Sequence, residues 1–417
     1  MNKTFAILTL GCKVNFYESE SLKEKLLDLG YLEKDCKEAT FIFVNTCAVT
    51  NQAERQDLQK VRSVARDNPL AKFIVLGCSS QIHKEKYLAI KQVIKVFGTD
   101  IKCRSVELLD SPKSDFINTD SRHFQYEDSE IKSSEYPVRA YLKVQDGCNN
   151  YCSYCVIPFT RGNSRFRDKD SIIREAKELI RNGYHELIIG GIDTGSYHDP
   201  KDISYNLTSL LKDLIKISPL PYRIRVSSIE ISQIDDSYIN LFKDNPQKLC
   251  PHFHIPLQSG SERILKLMNR KYSKEEYLSK VNEIQSALPN VALSTDIITG
   301  FPTETESDFR DTYDFAKKIG FMRIHAFPYS ERPFTMASKL NGKVAMEIRR
   351  ERVKKLLKLS EESKQKYLDS LKGQVLSILI EHRGKNNTYS GYSENYLEIN
   401  VKSTKDIFNS FISYKVD

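Results

Sequence analysis

Three times in the first ninety residues, an apolar β-prone run is followed by a polar loop and then by a helical pattern. FAILTL (5–10) leads through GCKVNFYES into a helix from Glu18 to about Leu29, closed by Gly30. FIFVN (41–45) leads through TCAVTNQ into a helix over about 53–66, and KFIVLG (72–77) through CSSQ into a third. Strand, loop and helix in alternation predict a parallel sheet covered by helices. In such an open sheet the carboxyl ends of the strands share one edge, where ligands bind. Cys12, Cys47 and Cys78 each fall one to three residues past a predicted strand, 35 and 31 residues apart. A lone cysteine there reads equally well as a small buried hydrophobe. Three at equivalent places in successive units point to one shared site.

Residues 110–136 are polar and aperiodic, the pattern of a linker. A second series then opens with VRAYLKVQ, a strand running into DGCNNYCSYCVIPFTRG (146–162). Further strands are expected at 186–190, 222–227, 252–256, 291–297 and 323–328, with amphipathic helices near 170–182, 206–217, 235–243, 274–287 and 306–319. Six β/α units make a partial barrel, open to a large substrate, where eight would close it. A basic helix spans about 345–371, its charges readable as a solvated face. Beyond Gly373, VLSILIEH, NTYSGY, YLEINV and FISYKV suit a small antiparallel barrel.

Nine cysteines in 417 residues, without a signal-peptide pattern, fit a reducing cytoplasmic setting in which clustered cysteines bind metal. No apolar run reaches membrane-spanning length, so no membrane is expected as a partner. The net charge of +8 permits a polyanionic partner.

Cys148, Cys152 and Cys155 are spaced C-x3-C-x2-C. A structural zinc needs four ligands, and His185 and Cys250, the nearest other candidates, have no motif around them. An iron–sulfur cube held by three thiolates keeps one iron open to a cofactor. The motif resembles that of the radical S-adenosylmethionine (SAM) superfamily. The resemblance implies that the open iron chelates SAM, and that one electron splits SAM into methionine and a 5′-deoxyadenosyl radical. It also places Tyr154 near the adenine. GGIDTGS (190–196) matches the place of a Gly-Gly-Glu-like turn, with Gly190 and Gly191 near the SAM amino group and Asp193 standing where glutamate is usual. Ser227, Glu230, Gln258, Ser259 and Asp296 follow or end later strands and are further SAM-contact candidates. Each alone also reads as polar loop filler.

GC12KVN, NTC47AVT and GC78SSQ, with MNRKYSKEEYLSKV and TDIITGFPTETESDF, extend the resemblance to the methylthiotransferase family over nearly the whole chain. It implies an α/β protein in three parts. Residues 1–110 form an open parallel α/β domain holding a second cluster on Cys12, Cys47 and Cys78. A linker (111–136) follows, then a partial (β/α)6 radical SAM barrel (137–371) and a short TRAM-like RNA-binding β-barrel (372–417). GCKVNFYES, RVSSIE, HFHIPLQSGS and HAFPYSERPFTMA point to the branch acting on N6-threonylcarbamoyladenosine at position 37 of tRNA. Other branches act on isopentenyladenosine or on a ribosomal-protein aspartate. The implied cofactors are two [4Fe–4S] clusters and SAM. The implied partners are a tRNA anticodon stem-loop and an electron donor such as flavodoxin or ferredoxin.

No acid–base residue is expected to act in catalysis, because an aromatic C–H has no acidic proton; the protein holds cofactors and substrate in line. Arg349, Arg350, Arg352, Lys354 and Lys355 are candidates for phosphate contacts, and Tyr392 and Tyr396 for base stacking. Cys36, Cys103 and Cys250 lack a motif. The rival from another class is an RNA-binding protein with structural metal.

Overall fold

The computed structural model describes residues 3–134 and 136–417. The chain divides into two compact units. One comprises Met1–Glu135, Lys143–Glu175 and Ser330–Ser338, and the other Tyr136–Leu142, Ala176–Tyr329 and Lys339–Asp417.

The first unit is built on a six-stranded sheet of β1 (Thr4–Thr9), β2 (Leu32–Glu33), β3 (Phe41–Thr46), β4 (Lys72–Gly77), β5 (Val93–Phe97) and β6 (Asp115–Phe116), in the order β2-β1-β3-β4-β5-β6. Every pairing is parallel. Side chains on a strand alternate between faces, and the apolar runs therefore fill two cores. Ile42, Val44, Phe73 and Val75 pack with Val61 and Val64 of α2 (Asn51–Asp67) and with Tyr87 of α3 (Cys78–Leu88). Phe5, Phe43 and Ile74 pack with Leu22 and Leu26 of α1 (Lys13–Asp28). Each fully buried large side chain of this kind contributes about 1.5–3 kcal/mol.

The polar run read as a linker is fixed along this unit. It supplies β6, whose Phe116 stacks on Phe97 at 4.8 Å, and it buries Phe124 and Ile131. These scattered apolar residues lack a period, so the run carried no strand signal.

The second unit carries two three-stranded sheets, besides a hairpin and a C-terminal four-stranded sheet. β7 (Arg139–Lys143) ends at the boundary of the units, and the paired β8 (Gln145–Asp146) and β9 (Arg165–Phe166) belong to the first. The first set is β7, β10 (Glu186–Gly190) and β13 (Arg223–Val226), with a short hairpin of β11 (His198–Asp199) and β12 (Asp202–Asn206) between the last two in sequence. The second set is β14 (His252–His254), β15 (Ala292–Thr299) and β16 (Arg323–Pro328), all parallel. Residues 248–250 run beside β13, where Ile224 N donates to Lys248 O at 2.7 Å and Cys250 N to Ile224 O at 2.9 Å. The intervening helices fall close to the expected ranges, for example Lys274–Ala287 and Glu306–Ile319. Each of these two starts with a reciprocal cap, Ser273 with Glu276 and Thr305 with Asp308.

A long helix (Met346–Ser370) follows, and then a curled antiparallel sheet. Its strands are β17 (Val375–Arg383), β18 (Thr388–Ser393), β19 (Glu398–Lys402) and β20 (Phe411–Lys415), in the order β19-β18-β17-β20. Ile378, Ile380 and Leu397 join Ala292 and Met322 in one core. Among the described residues no helix is long and apolar enough to cross a membrane.

Candidate active site

Both cysteine triads lie in the first unit. Cys12 caps α1, Cys47 directly follows β3, and Cys78 is the first residue of α3. A side chain at Gly11 would lie 2.7 Å from Cys47 Cβ, so the first two loops are in contact. Asn15 clasps them, donating from Nδ2 to Leu10 O at 2.7 Å and to Thr46 O at 3.0 Å. Cys47 N donates to Asp57 Oδ2 at 2.6 Å. Burial, with the neighbouring thiols of Cys78 and Cys12, pushes the Cys47 thiol up to about 12. Cys47 and Cys78 are buried and Cys12 is exposed, and all three are free thiols.

Gly77 makes the Cys78 turn possible. Its φ is +113°, and a Cβ there would meet Thr46 O at 2.5 Å. Gly77→Ala is expected to cost more than the roughly 1–3 kcal/mol of a strained backbone position, because the clash adds to it. Thermal melting of the metal-free protein reads this directly.

The second triad sits on the loop between β8 and β9. Cys148 N donates to Gly162 O at 3.0 Å, Cys155 N to Cys152 O at 2.9 Å, and Asn150 N to Cys148 Sγ at 3.4 Å. All three are half-buried, and none is in a disulfide. Val156 shares a buried cluster with Ala48 and Cys78, so the two cysteine regions pack on common ground. Among the described residues no three His, Cys, Asp or Glu converge as ligands of a single ion. A tetrahedral zinc needs its donors about 2–2.3 Å from one point. A cube takes each thiolate on a different iron.

A buried charge network lies under both loops. Arg161 Nη1 bonds Glu18 Oε1 at 2.8 Å and Asp146 Oδ1 at 2.9 Å, and its Nη2 donates to Asn15 Oδ1 at 2.8 Å. Lys143 bridges Glu18 at 2.7 Å and Asp146 at 2.8 Å, Lys102 holds Glu18 at 2.5 Å, and Arg165 holds Asp146 at 3.0 Å. All six charged groups are buried. Burial alone would raise the Glu18 carboxyl, but Arg161, Lys102 and Lys143 outweigh it and hold it well below the usual carboxylate range. Asp146 is depressed in the same way, burial being outweighed by Arg161, Arg165 and Lys143.

The second unit gathers the other candidates near the carboxyl ends of its strands. Gly190 ends β10, and a Cβ on it would lie 2.3 Å from Tyr141 Oη and 2.4 Å from Ser227 Oγ. Gly191 N donates to Thr194 Oγ1 at 3.0 Å. Asp193 is buried and accepts from Gln233 Nε2 at 2.8 Å. Glu230 is engaged by Arg270. Gln258 adopts φ +63° and pairs with β15 through Asp296 O at 2.8 Å. Asp296 lies inside β15, which runs two residues further than expected, and its Oδ2 is 3.2 Å from His254 Nε2. His254 Nδ1 and His252 Nε2 each lie 3.0 Å from Ser294 Oγ.

The family model for the radical SAM superfamily matches residues 142–316, and that of an uncharacterised protein family, UPF0004, matches residues 4–98. The chain is 37% identical to the threonylcarbamoyladenosine tRNA methylthiotransferase MtaB of Bacillus subtilis, over 99% of this chain and 93% of that protein. It is 36% identical to the Aquifex aeolicus protein of the same name, over 96% and 97%. A tRNA-2-methylthio-N(6)-dimethylallyladenosine synthase of Lachnoclostridium phytofermentans is 32% identical over 99% and 92%. The chain belongs to the radical SAM methylthiotransferase family. The radical SAM methyltransferase TsrM of Kitasatospora setae shares the fold, with a TM-score of 0.59, 14% identity, and 81% and 77% of the two chains covered.

As a radical SAM methylthiotransferase the chain uses SAM and a [4Fe–4S] cluster. The donor set fits the cluster, since three half-buried cysteines outside any disulfide stand on a loop braced by its own amides. Tyr154 is half-buried on that loop.

Several expectations need correction. Ser259 is buried, and its hydroxyl meets Thr312 Oγ1 at 3.2 Å on a neighbouring helix. Arg349 is buried, donating to Val344 O and Tyr329 O at 2.8 Å each, and buried Arg352 pairs with Glu304 and Glu306. Neither is free for phosphate. Arg350, Lys354 and Lys355 are exposed on the same helix, Lys355 beside Glu351 at 3.1 Å. Tyr392 and Tyr396 stack on each other at 5.0 Å. Arg139 covers the first ring at 5.0 Å and Arg225 the second at 4.5 Å, so each ring already has two partners within the protein.

Sequence reasoning missed Glu18, Arg161, His254 and Arg270. The period-two histidines of HFHIP were the one legible signal, placing both rings on one strand face.

Proposed function

We propose that this chain inserts a methylthio group at C2 of N6-threonylcarbamoyladenosine at position 37 of tRNA, next to the anticodon. The observation that carries this reading is the full-length similarity to the Bacillus subtilis threonylcarbamoyladenosine enzyme. Two cysteine triads packed within one compact unit support it, because sulfur insertion needs two reactive centres close together. Cys148, Cys152 and Cys155 hold one [4Fe–4S] cluster, and Cys12, Cys47 and Cys78 hold a second. Together with SAM these groups, when bound, supply a carbon radical able to take hydrogen from an aromatic C–H and a sulfur that accepts a methyl group.

The protein's own contribution is position and exclusion of water. Tyr154, Gly190, Gly191, Asp193, Ser227, Glu230, Gln258 and Asp296 stand as the SAM-contact set, and Arg350, Lys354 and Lys355 as phosphate contacts. Glu230 acts through its pair with Arg270, and Asp296 through its pair with His254. Residues 1–110 form the auxiliary-cluster domain, 137–371 the radical SAM domain and 372–417 the RNA-binding domain. A flavodoxin or ferredoxin delivers the electron, and the site of action is the cytoplasm.

Mass spectrometry of tRNA nucleosides from a deletion strain tests the reading. Loss of 2-methylthio-threonylcarbamoyladenosine is expected, with the unmethylthiolated nucleoside accumulating. Loss of the isopentenyl derivative in its place would move the chain to the other tRNA branch. An unchanged tRNA profile would overturn the reading.

A further inference from the structure

Residues 330–338 return to the first unit as a strap tied at both ends. At one end Asn51 N donates to Ser330 Oγ at 2.9 Å, and buried Arg332 pairs with Glu54 at 2.9 Å, both partners lying on α2 just past Cys47. At the other end Ala337 N donates to Ser153 O at 2.8 Å, between Cys152 and Cys155. The strap therefore spans from one cysteine region to the other. At its middle stands Phe334, with φ +68° and 58% exposed. A bulky residue is rarely held there, and more than half of this one is left uncovered by the described residues. Phe334 meets Phe159 at 5.8 Å, and Phe159 is itself exposed four residues past Cys155. Tyr151, beside Cys152, repeats the pattern with φ +48° and 48% exposure, its hydroxyl donating to Asn163 at 2.7 Å.

The helix that anchors the strap carries a charge to match. The exposed face of α2 presents Arg55, Lys60, Arg62 and Arg66, and its one exposed acid, Asp67, is the last residue. Glu54 and Asp57 point inward and are buried.

We propose that Phe334, Phe159 and Tyr151 form a stacking platform for unpaired RNA bases, and that the basic face of α2 holds the adjoining phosphates. The inference rests on the tRNA reading above and adds an RNA-binding surface on the N-terminal unit. Single-stranded RNA is the occupant that uses both features. Unpaired bases stack on aromatic faces without regard to sequence, and cations contact the backbone that joins them. An acidic electron-donor protein would use the cations alone and would leave the exposed Phe334 and Phe159 rings in water.

Binding of a fluorescent RNA hairpin with a seven-nucleotide loop to the full-length holoprotein tests this. Phe334→Gly removes the ring and places glycine where its backbone is relaxed, so the variant is expected to melt no lower than the parent. RNA affinity is expected to fall about tenfold, the loss of roughly one stacked base. Arg55→Gln combined with Arg62→Gln is expected to reduce the slope of log affinity against log salt by about two. Parent-like RNA binding by both variants would overturn the platform. Loss of flavodoxin-dependent reduction with RNA binding intact would reassign the surface to the donor protein. A parent protein that binds no hairpin at all would instead sink the tRNA reading itself.

Discussion

Cys152→Ala is expected to abolish 5′-deoxyadenosine formation, while Cys12→Ala is expected to leave it intact and stop sulfur insertion. The first change removes a thiolate from the loop proposed to carry the SAM-binding cluster. The second removes one from the proposed auxiliary site. Cys12 is the better choice there because it is exposed, whereas Cys47 and Cys78 are buried and Cys78 shares its packing with Val156. A cavity beneath Cys78 would disturb the other triad and blur the comparison. Cys12→Ala is also expected to drop the reconstituted iron content from about eight to about four per chain, with the low-temperature spectrum of the remaining cluster unchanged. If Cys12→Ala protein that is still folded makes no deoxyadenosine, the division of labour between the triads is wrong.

The second large effect is on stability. Among the described residues Lys102, Lys143, Arg161 and Arg165 make their close ion pairs with Glu18 and Asp146. Losing a carboxylate there is worse than losing a cation. Glu18→Gln leaves Lys102, Lys143 and Arg161 short of a counter-charge, and removal of one partner from a buried pair costs about 3–5 kcal/mol. Arg161→Met leaves Glu18 with Lys102 and Lys143, and Asp146 with Lys143 and Arg165, so a smaller loss is expected. Urea melts of the metal-free proteins at neutral pH give the order, and equal losses would contradict the idea of a cation surplus. The pH dependence follows from the depressed carboxyls. Their stabilisation is complete above the unfolded-state values of about 4–4.5 and is lost as pH falls from there toward the folded-state values. Glu18→Gln should therefore flatten the acid limb of the stability curve.

Elements defined by local pattern were legible in the sequence. The strands at 41–46 and 72–77, the loops bearing Cys47 and Cys78, and the six β/α units could be read because periodicity and turn residues act over a few positions. The buried ions were not. Glu18 and Arg161 are 143 residues apart, and each looks like surface charge until the fold brings them together. Arg349 and Arg352 were placed on the solvated face of a basic helix, yet they share with Leu356 and Leu359 a stripe of three- and four-residue steps. That spacing marks an inward face whatever the residue type, and the charge masked it. In a related way, the hydroxyl of Ser259 and the rings of Tyr392 and Tyr396 already have partners within the protein. Residue type advertises what a group can bind, and only the fold decides whether the protein has already bound it.

The first compact unit is assembled from three stretches of chain, the last of which ends at Ser338. During synthesis, Glu54 waits for Arg332 until most of the protein has left the ribosome. A nascent chain halted before that point presents both sets of thiols without the strap that spans them. The unit that carries the thiols is therefore finished by a late segment, and it closes only once residues 330–338 have been made.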